Sequence, residues 1–162
     1  MSSINLENLT MPESTCYAYL FRNCYGLESV KLPKNATIIH SLIFDECYNL
    51  KNVDIPDTVT TIGFCAFQDC GIESITLPSS LTTIGEEAFG KCTDLESITI
   101  PDSVTIIDEG TFKGCTKLKN ITLSSSLTTI SKEAFCNCTE LESIIIPDSV
   151  ISIDEAAFKG CT

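Results

Sequence analysis

Residues Leu95 to Cys115 read L-E-S-I-T-I-P-D-S-V-T-I-I-D-E-G-T-F-K-G-C, and Leu141 to Cys161 repeat the pattern as L-E-S-I-I-I-P-D-S-V-I-S-I-D-E-A-A-F-K-G-C. The Phe near the end of this unit recurs at 21, 44, 67, 89, 112, 135 and 158, leaving only Phe64 out of step. Cys follows each of the seven by three residues, at 24, 47, 70, 92, 115, 138 and 161, with spacings of 23, 23, 22, 23, 23 and 23. A fixed period of this size marks a stacked repeat architecture. The short interval falls at Gly71, where one residue is missing between Cys70 and Ile72.

The other apolar positions keep step with this ladder. Each Cys is followed by a segment such as Leu27/Val30/Leu32, Leu95/Ile98/Ile100 or Leu118/Ile121/Leu123, and an earlier copy is Leu6/Leu9/Met11. The alternation at its end predicts a strand with one buried face. Pro closes the segment at 12, 33, 56, 78, 101 and 147, with Ser124 as the exception; Pro stops a strand and turns the chain. A second apolar pair follows at three-residue spacing (Val59/Ile62, Leu81/Ile84, Val104/Ile107, Leu127/Ile130, Val150/Ile153), with Thr and Ser between. Acidic starts such as Glu86-Glu87, Asp108-Glu109 and Asp154-Glu155 then precede Ala-Phe-x-x-Cys. Read as helix starts, these carboxylates would cap free N–H groups, and Ala88, Phe89 and Cys92 would share one helical face. The expected fold is therefore α/β. It is a right-handed solenoid of about seven 23-residue repeats, with a parallel sheet on the concave face and short helices on the convex side.

The repeat L-x-x-I-x-I-P-x-S-V-x-x-I-x-x-x-A-F-x-x-C resembles the BspA-like (Treponema pallidum type) leucine-rich repeat family, and the resemblance covers essentially the whole chain. It implies a leucine-rich-repeat solenoid and, for some members, surface-exposed adhesion or protein binding. A repeat of this kind specifies a fold far better than a partner. One domain over residues 1–162 is expected: residues 1–24 as a degenerate first repeat or cap, 25–161 as regular repeats. The chain stops at Gly160-Cys161-Thr162, where the next strand should begin, so a polar C-terminal cap is missing. Either the chain is a fragment of a longer protein, or it forms homodimers through the open end.

Composition narrows the function. The net charge of −12 and pI near 4.3 repel phosphate backbones and acidic headgroups, so neither nucleic acid nor membrane surface is expected as a partner. No apolar run is long enough for membrane insertion, and the first residues carry no signal-peptide pattern. The ladder spacing reads the cysteines as one small core filler per layer, not as metal ligands or disulfides. Cys16, Cys65 and Cys136 lie off the ladder; Cys16 is expected to be buried, the other two partly exposed. Many unpaired thiols favour a reducing setting. The single His, His40, has no partner in a recognisable motif, and no phosphate-cradling loop, nucleophile elbow or zinc-protease signature occurs. No catalytic residue, cofactor site or metal site is assigned. Four N-x-S/T sequons stand at Asn8, Asn35, Asn120 and Asn137, available to glycans only along a secretory route.

What remains is a non-catalytic protein-binding module. On the resemblance it is a surface, adhesion or host-interaction protein of a bacterium or parasitic protist; the alternative is an intracellular scaffold or regulatory subunit. The partner is expected on the concave strip, at Glu28, Lys31, Lys51, Asn52, Asp54, Glu73, Thr76, Glu96, Thr99, Lys119, Asn120, Thr122 and Glu142.

Overall fold

The computed structural model describes residues 2–10 and 17–161. Eleven short strands form among the described residues: β1 (Ser3–Asn5), β2 (Ser29–Lys31), β3 (Ile38–Ile39), β4 (Asn52–Asp54), β5 (Thr61–Ile62), β6 (Thr83–Ile84), β7 (Ser97–Thr99), β8 (Ile106–Ile107), β9 (Asn120–Thr122), β10 (Thr129–Ile130) and β11 (Ser152–Ile153). All paired strands run parallel, and their register puts equivalent repeat positions side by side, as in Val30 opposite Val53 and Ile98 opposite Ile121. β2, β4, β7 and β9 make the strand face expected from the Leu-x-x-Ile segment. β1 joins them out of the expected place: Ile4, not Leu9, lies opposite Val30, and Leu9 is exposed, so the copy read at Leu6/Leu9 is corrected to a strand five residues earlier. The two-residue strands β3, β5, β6, β8, β10 and β11 make a second, lateral face from the Thr-Ile pairs.

No α-helix forms among the described residues, so the α/β expectation is corrected to an all-β solenoid. The backbone of residues 63–70 shows why. Three N–H groups bond within the coil, from Ala66 to Gly63 O, Gln68 to Cys65 O and Cys70 to Phe67 O. The three alternating with them bond across to the next coil, from Cys65 to Glu86 O, Phe67 to Ala88 O and Asp69 to Gly90 O, at 2.9–3.0 Å. A helix would have needed those N–H groups for its own i−4 carbonyls. Positive φ at two positions four residues apart in every coil turns the chain out of the helical path, as at Cys65/Asp69, Glu87/Lys91 and Gly110/Gly114. A one- or two-turn helix is marginal alone, whereas this double turn satisfies every second N–H through its neighbour. The carboxylates read as helix caps serve turns instead: Asp108 Oδ1 accepts from the Glu109 N–H at 2.8 Å. Seven Phe rungs enclose six coils, which also corrects the count of about seven repeats to about six full turns.

The core is a set of columns running along the solenoid. Phe44, Phe67, Phe89, Phe112 and Phe135 are fully buried, and the rings from Phe21 to Phe158 stack with centroids 5.3–5.7 Å apart and planes within 14°. Strand spacing is about 4.8 Å, so the rings must slide sideways, which is the offset geometry that aromatic faces prefer. The ladder cysteines do more than fill space. Each thiol from Cys47 to Cys161 donates to the carbonyl of the Phe one coil earlier, at 3.0–3.2 Å, as in Cys92 Sγ to Phe67 O. The same carbonyls accept the N–H of the Cys three residues on, so Phe and Cys are coupled both within and between coils. Cys65 and Cys136, expected to be partly exposed, are buried, with only 2% and 5% of their surface exposed. The expected burial of Cys16 and the closing role of Pro12 lie outside the described residues.

The turn-side ladder is unbroken from Phe21 to Lys159, but the sheets are not. Among the described residues no backbone hydrogen bond joins β4 to the equivalent segment 74–76, and no strand pairing joins β6 to β8. The first break adjoins the 22-residue coil. Gly71 is fixed there because a Cβ would fall on the Tyr48 carbonyl.

Candidate functional site

On the strand face the inward positions are taken by Val30, Val53, Ile75, Ile98 and Ile121, so their neighbours point outward. Pleating alone dictates this. The outward side chains form columns across the coils. One runs Asn52, Ser74, Ser97 and Asn120, and the next runs Lys31, Asp54, Thr76, Thr99 and Thr122.

A groove of about 990 Å³ opens on this face, centred on segment 74–79 and its neighbours. It sits at the interruption between β4 and 74–76. Its walls carry Asn52, Asp54, Asp57, Ser74, Ser79 and Ser97, and the Thr column continues along it. Its floor is apolar, with Ile55, Ile75, Leu77 and Pro78. No aromatic ring and no Lys or Arg lines it.

Of the strip predicted from sequence, Asn52, Asp54, Thr76, Thr99, Asn120 and Thr122 line the groove together. Glu28, Lys31, Lys51, Glu73, Glu96, Lys119 and Glu142 share the face but stand outside the groove. Several are tied to one another or to neighbours. Lys51 donates to Glu73 Oε1 at 2.8 Å, Lys119 lies 3.3 Å from Glu140, and Lys31 lies 3.3 Å from both Glu7 and Asp54. These contacts raise the affinity of Lys51 and Lys31 for their protons, and hydrogen bonds from Lys34 and Lys31 hold Glu7 below the usual carboxylate range. The sequence reading missed the apolar floor and Asp57. The signal that could have found the floor is the residue missing beside Gly71, because a shortened coil cannot keep its strand in step with the coil before it.

The exposed aromatics gather elsewhere. All four Tyr and the single Arg lie between residues 17 and 48. Tyr25 and Tyr48 stack at 5.5 Å, and Arg22 lies 5.9 Å from the Tyr19 ring centroid. Arg22 Nε also donates to Asp45 at 2.8 Å. Asp45 is only 3% exposed, and its burial raises its proton affinity while Arg22 opposes that rise. His40 meets the edge of the Tyr17 ring at 5.5 Å, and burial lowers its proton affinity. Among the described residues no acid, base or nucleophile is joined to it in a catalytic arrangement.

The stripe of acidic turns is interleaved with cations and amides. Lys132 lies 3.2 Å from Glu109, Lys113 donates to Glu133, and Gln68 donates to Glu87. Among the described residues no group of three or more His, Cys, Asp or Glu is placed to hold a metal ion, and no helix is long and apolar enough to cross a membrane. The last coil exposes Ile145 and Ile151 at 86% each, at outward positions where the preceding coil carries Thr122 and Thr128. Asn8, Asn35, Asn120 and Asn137 are all exposed.

Comparison with known proteins agrees with this architecture. The profile of the BspA type leucine-rich repeat region matches residues 1–59 and 37–162, in six copies. A crystal structure of a Treponema pallidum leucine-rich repeat protein superposes with a TM-score of 0.85 at 27% identity, covering 99% of this chain and 70% of that one. A Bacteroides ovatus leucine-rich repeat protein gives 0.71 at 28% identity over 94% of this chain, and a leucine-rich cell surface protein of Faecalibacterium prausnitzii gives 0.50 at 25% over 88%. The chain spans 48% and 53% of those two structures. No curated protein matches.

Proposed function

Since the chain belongs to the BspA-type leucine-rich repeat family, we propose that it is a non-catalytic module that binds a protein partner in the groove of its strand face. The observation carrying this reading is the groove itself, with outward Asn, Ser and Thr side chains above an apolar floor. Such a lining offers both directional hydrogen bonds and dry contact. Leucine-rich repeat proteins generally act as binding modules and not as enzymes, and the side chains of the groove include no nucleophile activated by a base. A place at the cell surface is supported by the relative from Faecalibacterium prausnitzii, described as a cell surface protein. The buried thiols favour the alternative of an intracellular scaffold, and locating the full-length product separates the two. A glycan on Asn120 would fill the groove, so the proposed role requires that asparagine to be bare.

The test is a steric block. Ser97→Trp places an indole in the groove, and Thr128→Trp places one on the lateral face as a control. Both tagged variants and the parent chain are used to capture proteins from extracts of the source cells. Loss of captured species with Ser97→Trp but not with Thr128→Trp supports the groove. Equal capture by all three moves the site elsewhere.

A second association surface is favoured by Ile145 and Ile151, which are fully presented on one coil. Pairing of two copies there would be read by light scattering across micromolar to millimolar concentration, with Ile145→Thr/Ile151→Thr as the control; a monomer throughout refutes it.

A further inference from the structure

The chemistry of the groove narrows the partner, and this inference rests on the groove reading above. The charges that line the groove are the carboxylates of Asp54 and Asp57, with no cation among the lining residues. Lys31, from outside the groove, reaches Asp54 at 3.3 Å, and no ion pair reaches Asp57 among the described residues. Nine of the ten Lys and Arg side chains already face a carboxylate within 3.6 Å: Arg22, Lys31, Lys34, Lys51, Lys91, Lys113, Lys117, Lys119 and Lys132. Among the described residues the negative charge in excess of these pairs sits on carboxylates without a lysine or arginine within 4 Å. Asp57 is one of them.

These carboxylates are also spaced. The residue after the strand-closing position runs Lys34, Asp57, Ser79, Asp102, Ser125, Asp148 along the solenoid, so from Asp57 onward an Asp occurs in every second coil. Asp57 and Ser79 line the groove, Asp102 follows the lining residue Pro101, and Asp148 continues the row beyond it. Two coils at strand spacing are about 9.6 Å. Asp102 accepts the Ser125 N–H at 2.8 Å and its hydroxyl at 2.9 Å, which fixes the carboxylate and holds its proton affinity down. A polyproline II chain advances about 9.3 Å per turn of three residues, so every third side chain of such a segment lying along the axis faces the same way and meets an Asp. The apolar floor of Ile75, Leu77 and Pro78 suits the aliphatic stems that carry such charges.

We propose that the groove receives an extended segment of a partner protein, running along the solenoid axis, with lysine or arginine at every third residue. The Asp57, Asp102 and Asp148 row, which starts in the groove and runs on past it, holds the cations, and the Asn, Ser and Thr columns bond the backbone between them.

The test uses three fluorescein-labelled nine-residue peptides of Ser and Gly. One carries Lys at every third position, the second has the same three Lys together, and the third has Glu in place of the spaced Lys. Anisotropy is followed at low and physiological salt with the parent chain and with Asp57→Asn/Asp102→Asn, whose fold is checked by circular dichroism. The spaced-Lys peptide should bind best. Its advantage over the clustered peptide should vanish in the double variant, with a loss of about three- to tenfold for two exposed ion pairs. Salt should weaken what remains. Equal binding of both Lys peptides, no Lys-peptide binding, or preference for the Glu peptide overturns the proposal. Should Ser97→Trp still abolish partner capture in that case, the groove reading stands and only the basic-segment inference falls.

Discussion

Phe89 is the rung on which the middle of the solenoid depends. It is fully buried between Phe67 at 5.4 Å and Phe112 at 5.7 Å. On either side of it a sheet is interrupted, the strand face between β4 and 74–76 and the lateral face between β6 and β8. At each interruption one sheet still bridges the coils, β5–β6 at the first and the Ser74–Ser97 pair at the second, so the turn-side hydrogen bonds and the ring stack carry a larger share of the coupling across the centre. Phe89→Ala removes a buried ring and both of its stacking partners, at a cost of about 3–5 kcal/mol. Phe158→Ala should cost about half as much, because that ring is half-buried and stacked on one side only. In a solenoid, stability is close to a sum of unit and neighbour contributions, so the central loss should also uncouple the two halves. The chain provides the probe. It has no Trp, and its four Tyr lie at residues 17–48, so Tyr fluorescence reports the N-terminal half alone while far-ultraviolet circular dichroism reports the whole. In urea the two signals should coincide for the parent chain and separate for Phe89→Ala. Coincident transitions in Phe89→Ala, or a Phe158→Ala as costly as Phe89→Ala, would refute the central role of this rung.

Other outcomes follow from the same packing. Burial lifts the thiols of Cys65, Cys92 and Cys138 to about 12 and Cys47 to about 11, from an ordinary 9.0. The folded chain keeps these groups neutral where the unfolded chain ionises, so stability should be flat below pH 9 and fall as pH climbs from 9 toward 12. Urea midpoints taken through that window measure it, and Cys92→Ala should soften the slope. Ala156 sits at φ 58, so Ala156→Gly should stabilise by about 0.5–1 kcal/mol. Gly110→Ala, at φ 59 with its Cβ 2.9 Å from Glu87 Cγ, should destabilise by about 1 kcal/mol or more; thermal melts check both signs. Gly71→Ala should cost about 1–3 kcal/mol, since the obstacle is the Tyr48 backbone and not a flexible side chain.

The Phe-x-x-Cys ladder, the Leu-x-x-Ile strands and the proline stops state a stacked solenoid outright, because each is a one-dimensional pattern set by which residues face the core. Gly110/Gly114 and Asn23/Asn137 even mark the left-handed positions that rule out helices. That signal is diluted by Glu87, Lys91 and Glu133 at the same places, which read locally as helix formers. Spacing i, i+1, i+4 fits an inward face in a helix or in a double turn alike. The choice between them belongs to the neighbouring coil, whose carbonyls claim every second N–H group.

The same division holds for the site. Alternation along the strands was enough to name Asn52, Asp54, Thr76, Thr99, Asn120 and Thr122 as outward residues, since pleating is a local property. Which of the strip would gather into one groove was not local. It depended on how a coil one residue short, pinned at Gly71 against the Tyr48 carbonyl, stacks beside coils of full length. Likewise the sequence by itself identified the ladder cysteines as core residues. Only stacking aimed each thiol at the Phe carbonyl of the coil before it, because that hydrogen bond joins residues 25 or 26 apart that meet only once the solenoid is wound.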